Sequence, residues 1–163
     1  MRIGFIAVAI AALVAVVAVG TGSAATPVNV SFTGCVFGGG GNATVLAGSA
    51  VTVRIGWASK NRGRVQDFLN SQTTTVSFNG NPVANASSLW GPLTQQVDGS
   101  WSTRWAALAG TLASPGDQIV VKAQMAITHK VPDGKDPDTG KQIFAGPGNL
   151  FSPGFTTCTI TAT

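Results

Sequence analysis

Apolar and polar residues alternate with a period of two in several stretches of this chain, which predicts strands that bury one face. Val28, Val30 and Phe32 alternate with Asn29, Ser31 and Thr33, and Val51, Val53, Ile55 and Trp57 with Thr52, Arg54 and Gly56. Thr74, Val76 and Phe78 form a third such row, and Trp101, Thr103 and Trp105 a fourth, set against Ser102 and Arg104. The longest row is Ile119, Val121, Ala123, Met125 and Ile127, which ends near His129. A last strand is expected over Phe155–Ala162, with Cys158 and Ile160 on one face. One segment has another period. Val65, Phe68 and Leu69 stand at i, i+3 and i+4 within Arg62–Gln72, which predicts a helix of two or three turns that crosses between sheets. Asn79-Gly80, Asp98-Gly99 and Ser114–Asp117 read as tight turns, and Pro82 predicts a short or edge return strand after the first of them. Gly38–Asn42, Lys130–Lys141 and Ala145–Gly154 read as loops. Cys35 has the wrong parity for the face of Val28, Val30 and Phe32, so a face shift at Gly34, such as a bulge, is expected to bring its thiol inward.

Seven to nine short strands with one brief helix predict an all-β, two-sheet sandwich of immunoglobulin-like or related Greek-key topology. Four features also stand in a recognisable order: Val53–Trp57 in a second strand, the Val65–Leu69 helix, the Asp133–Asp138 loop, and Thr157-Cys158-Thr159 in the last strand. In these the chain resembles a group of bacterial secreted proteins of uncharacterised activity. The resemblance spans most of the chain beyond residue 25 and implies a secreted immunoglobulin-like sandwich. It implies no activity.

The first residues do not fit this rhythm. Arg2 precedes an apolar or small run from Ile3 to Val19, and Gly22-Ser23-Ala24 and Ser23-Ala24-Ala25 place small residues where a signal peptidase needs them. Residues 1–25 therefore read as an export signal helix cleaved after Ala24 or Ala25; the alternative is a retained anchor, for which the run is short. The remaining residues, 26–163, are expected to form one domain. Without Arg2 the chain has nine Lys and Arg against six Asp, too dilute a positive charge to argue for nucleic acid. Export places Cys35 and Cys158 in an oxidising space, where an even pair is expected to bond. A lipid-modified Cys35 is the rival reading, but it lies too far beyond the apolar run and would leave Cys158 a free thiol.

Catalytic side chains are scarce. The chain has one His, no Tyr and no Glu, and no Gly-x-Ser-x-Gly elbow, so a hydrolase would have to use His129 with a nearby Asp. Asp133, Asp136 and Asp138, with Gly134 and Gly140, could wrap oxygen ligands around Ca²⁺, but Lys135 and Lys141 weaken the field and the same residues also make ordinary turns. No other cofactor is suggested. Trp57 has the parity of a core residue; Trp90, in a Gly- and Pro-flanked stretch, could stack on a sugar, and Trp101 and Trp105, which share one strand face, could do so too or fill the core. Lys60, Arg62 and Arg64 form a basic segment at the start of the helix that could meet an acidic polymer, with Asp67 expected to pair with Arg64 at i, i+3. The expected function is a non-enzymatic binding or structural module, secreted or at the cell surface. Its ligand or protein partner is unknown, membrane contact is limited to the signal segment, and self-association through Thr-rich strand edges is open. A carbohydrate or wall-polymer ligand and a small hydrolase are the two alternatives.

Overall fold

The computed structural model describes residues 24–135, 142–145, 148–149 and 156–163. Residues 1–23, which hold most of the expected export signal, lie outside them, as do Asp136 and Asp138; of Asp133 only the backbone is described. The described chain is mostly strand, in two sheets whose apolar faces share one core. The first sheet contains β1 (Thr26–Ser31), β3 (Ser49–Ser59), β7 (Trp101–Leu112) and β6 (Thr94–Gln95), in the order β1-β3-β7-β6. The second has the order β2-β12-β8-β4-β5, from β2 (Asn42–Val45), β12 (Thr156–Ala162), β8 (Gln118–Ile127), β4 (Gln72–Phe78) and β5 (Asn81–Pro82). The two end strands β1 and β2 run parallel to β3 and β12, and the other neighbours in both sheets are antiparallel.

The alternation decides which side chains meet. Val51, Val53, Ile55, Trp105 and Leu112 of the first sheet face Val76, Ile119, Val121, Met125 and Ile160 of the second, all nearly inaccessible. Each such side chain stabilises the fold by roughly 1.5–3 kcal/mol through removal of apolar surface from water. The single α-helix among the described residues, α1 (Arg62–Ser71), leads from β3 in one sheet to β4 in the other and buries Val65 and Phe68 against the core. Asn61 caps it by accepting the Gly63 amide at 2.8 Å, which satisfies one of the free N–H groups of the first turn. Asn79 and Gly80, with φ of 50° and 83°, make the tight turn into β5, a two-residue edge strand that carries Pro82.

The face shift expected at Gly34 occurs and buries Cys35, although no bulge makes it. After β1 the backbone coils into a short π-type helical turn over Gly34–Gly38, where the Gly39 amide donates to the Gly34 carbonyl at 2.9 Å. Rotation about a helical turn, rather than a strand dislocation, reverses the parity. Gly39 permits this turn, since a Cβ there would lie 2.2 Å from the Asn42 carbonyl oxygen. Cys35 then bonds Cys158 of β12, with their Cα atoms 6.0 Å apart, and ties the end of the first strand to the last. The stretch after Lys130 is not all loop: β9 (Val131–Lys135) pairs antiparallel with β10 (Gln142–Ala145) in a hairpin of its own. Within the Gly- and Pro-rich stretch, β11 (Gly148–Asn149) adds to β8 at Ile127 and Ala126. A real bulge occurs elsewhere: Val51 faces Gly110 and Thr52 faces Leu108, so Ala109 is the extra residue in β7.

Candidate functional site

Two surfaces carry polar chemistry, and most of the residues singled out above lie on the first, at the end of the sandwich closed by α1. There the Phe68 ring stacks on Trp57, with centroids 4.4 Å apart and planes 4° from parallel, and meets Trp90 edge-on at 5.0 Å. The Trp90 indole N–H donates to Thr74 Oγ1 at 2.9 Å, and Trp90 bridges to Trp105 through the backbone. This residue is therefore half-buried packing at this end of the sheets, and its polar handle is occupied. Trp105 is fully buried and donates to the Ala86 carbonyl at 2.7 Å. Buried polar groups need such partners; the Trp57 indole N–H is buried with none among the described residues.

The basic segment is brought to the same end but is partly spent. The Arg62 guanidinium lies over the Trp101 ring at 5.5 Å, a cation–π contact. Arg64 is half-buried, and Asp67 does not pair with it. Asp67 Oδ1 instead meets His129 Nε2 at 2.8 Å, because β8 delivers His129 beside the helix across the core; the two side chains remain 42% and 52% exposed. Thr128 Oγ1 is 3.5 Å from the other ring nitrogen, at the limit of hydrogen bonding. Lys60 is exposed at the start of the segment. In the turn before β7, the Ser100 hydroxyl at 2.6 Å and the Ser100 amide at 3.0 Å both donate to Asp98 Oδ1, and they hold its carboxyl below the usual carboxylate range, with a smaller contribution from the positive charge of Lys60.

The second surface is the solvent-facing side of the first sheet. The register places Ser31 of β1 beside Arg54 of β3, Arg54 opposite Ala106, and Gly56 opposite Arg104 of β7. Arg54 and Arg104 are thus diagonal neighbours on one face, with backbones about 7–8 Å apart. Gly56 lies in the floor between them, and a Cβ there would meet nothing within 4 Å. Asn29, Ser31, Arg54, Gly56 and Arg104 line an open groove of about 330 Å³. A second recess, of about 170 Å³, is also lined by Arg104, together with Ser102, Thr94 and Gln96. Both arginines are exposed and neither has a carboxylate partner among the described residues; the outward positions of β1, β3 and β7 include no acidic residue. The sequence showed Arg54 and Arg104 as outward members of separate rows, but their juxtaposition depends on strand pairing.

Among the described residues there is no cluster of three metal-binding side chains, and no helix is long and apolar enough to cross a membrane. No protein family, curated protein or solved structure matches the chain.

Proposed function

We propose that this chain is an exported, immunoglobulin-like module that binds an extracellular or cell-surface ligand and performs no catalysis. The strand order supports the immunoglobulin reading. The row β1-β3-β7-β6 follows the A-B-E-D sheet of that fold, and β12-β8-β4-β5 follows G-F-C with an added C′ strand. The parallel pairing of β1 with β3 departs from a purely antiparallel sheet, and the disulfide joins the chain ends rather than the B and F strands. A buried disulfide that closes most of the chain fits an oxidising compartment, in keeping with export.

The observation that carries the binding reading is the polar groove on the first sheet, which presents unneutralised guanidiniums to solvent. Co-sedimentation of the oxidised protein with isolated cell walls and purified polysaccharides, at low and high salt, tests it. Saturable retention is expected. No retention of the protein at either salt concentration refutes a wall-polymer ligand and moves the search to protein partners or self-association.

The Asp67–His129 pair favours a second reading, a small hydrolase, because a carboxylate can orient an imidazole base. Its exposure and the marginal contact with Thr128 argue against an activated nucleophile. A hydrolytic activity lost in His129→Ala, with the fold intact, would establish this alternative.

A further inference from the structure

The reading of the chain as an extracellular binding module leaves its ligand open, and the following inference rests on that reading. We infer that the outer face of the first sheet binds an acidic polysaccharide, with Arg54 and Arg104 gripping its carboxylates over a floor opened by Gly56.

Four observations lead there. First, Arg54 and Arg104 line one groove and have no carboxylate partner among the described residues. Planar guanidinium forks match carboxylates in a bidentate manner and hold their charge at all relevant pH values. Second, the other polar lining is hydroxyl and amide: Ser31 and Asn29 at one end, Thr94, Gln96 and Ser102 at the other. Such groups complement the hydroxyls of a sugar ring. Third, the groove is long. Arg104 lines both recesses, and their lining residues lie on all four strands, which is three inter-strand spacings of about 4.8 Å, or roughly 14 Å. A single small anion would occupy only a fraction of that length, so an extended chain with repeated acidic groups fits better. Fourth, Gly56 makes room. A glycine weakens the interior of a strand, and this one stands in extended backbone with open space where a side chain would go, so local geometry does not require it.

A single-stranded nucleic acid is disfavoured by the same surface, since it binds by stacking on exposed rings. Here Trp105 is buried, Trp57 and Trp90 pack on Phe68, and Trp101 lies under Arg62.

The test is titration calorimetry of the oxidised protein with an oligogalacturonate, a neutral malto-oligosaccharide of equal length, and inorganic phosphate. The uronate oligomer is expected to bind saturably and the neutral oligomer not to bind. Arg54→Gln with Arg104→Gln should weaken binding by about tenfold or more, as expected for lost charge-assisted hydrogen bonds. Arg62→Gln with Arg64→Gln, which removes the same charge from the helix end, should change it by less than about threefold, since charges at a distance from the groove are screened by salt. Gly56→Val should also weaken binding although the net charge is unchanged, because its side chain fills the floor. Equal losses from both arginine pairs would reveal non-specific attraction and overturn the inference. So would uronate binding that survives both the Arg54/Arg104 pair and Gly56→Val, equal binding of the neutral oligomer, or binding of phosphate alone. If the uronate fails while cell walls still retain the protein, the ligand assignment falls and the binding module stands. If the walls also fail to retain it, the wall-ligand reading falls with it.

Discussion

Removal of the Cys35–Cys158 bridge tests how this fold is stabilised. The two residues are 123 positions apart in sequence, so the bridge restrains most of the described chain. In the chain-entropy treatment the cost of closing a loop of that length, taken from the unfolded state, is about 16 cal/mol/K, or about 5 kcal/mol at 25 °C. A domain of ordinary stability has only about 5–15 kcal/mol in total. A protein with Cys35→Ala and Cys158→Ala should therefore be close to marginal. Its thermal midpoint should fall on the order of 15 °C, at a few degrees per kcal/mol for a domain of this size. Equilibrium urea unfolding of the oxidised and double-alanine proteins measures the difference. The cross-linked protein should also show the smaller dependence on urea, because its unfolded state stays more compact and exposes less surface. Both bridged cysteines are buried against the core, so truncation adds a packing loss in the same direction. A difference below about 1 kcal/mol, with equal urea dependence, would refute the account: the unfolded chain would then already hold its ends together without the bond.

Other outcomes follow from single contacts. Phe68→Ala should cost about 3–5 kcal/mol in chemical unfolding, as for other buried aromatic truncations, and should shift tryptophan emission to the red as Trp57 and Trp90 lose the ring between them. Loss of the Asp67–His129 pair in His129→Ala should change stability by less than about 1 kcal/mol, because both groups are largely exposed; a larger loss in a double-mutant cycle would show that the pair organises the helix end. Asp98 titrates below its ordinary value mainly because the Ser100 hydroxyl, and then the Ser100 amide, donate to it; Ser100→Ala should move its titration up in a carboxyl NMR experiment. Since the folded value is the lower one, any stability this carboxylate contributes is present above the unfolded value and is lost as pH falls through the folded value.

Periodicity made much of this architecture legible. Alternation marked the inward faces of β3, β7, β8 and β12, the i, i+3, i+4 spacing marked α1, and Asn79-Gly80 marked the β4–β5 turn. These are local signals, set by how a side chain projects from a strand or helix. The conflict at Cys35 was also visible as a parity violation, but a bulge and a helical turn both reverse a face, and only backbone hydrogen bonding distinguishes them. The strand over Val131–Lys135 was hidden because Pro132, Asp133 and Gly134 have turn chemistry, and pairing with β10 overrides that preference.

The candidate site was less accessible, for a related reason. Alternation along each strand put Arg54 and Arg104 on outward faces, but nothing in either row says that the two rows are neighbours. Their meeting depends on the register of β3 against β7, and the bulge at Ala109 sets a different register on its two sides. In the same way, Trp90 is placed by Thr74 and His129 by Asp67, partners 16 and 62 residues away. The order of residues along the chain thus determined most of the elements, their buried faces and the cysteine pair. Tertiary pairing decided which exposed groups share a surface, because strand neighbours are chosen by burial summed over the whole sheet and not by any local preference.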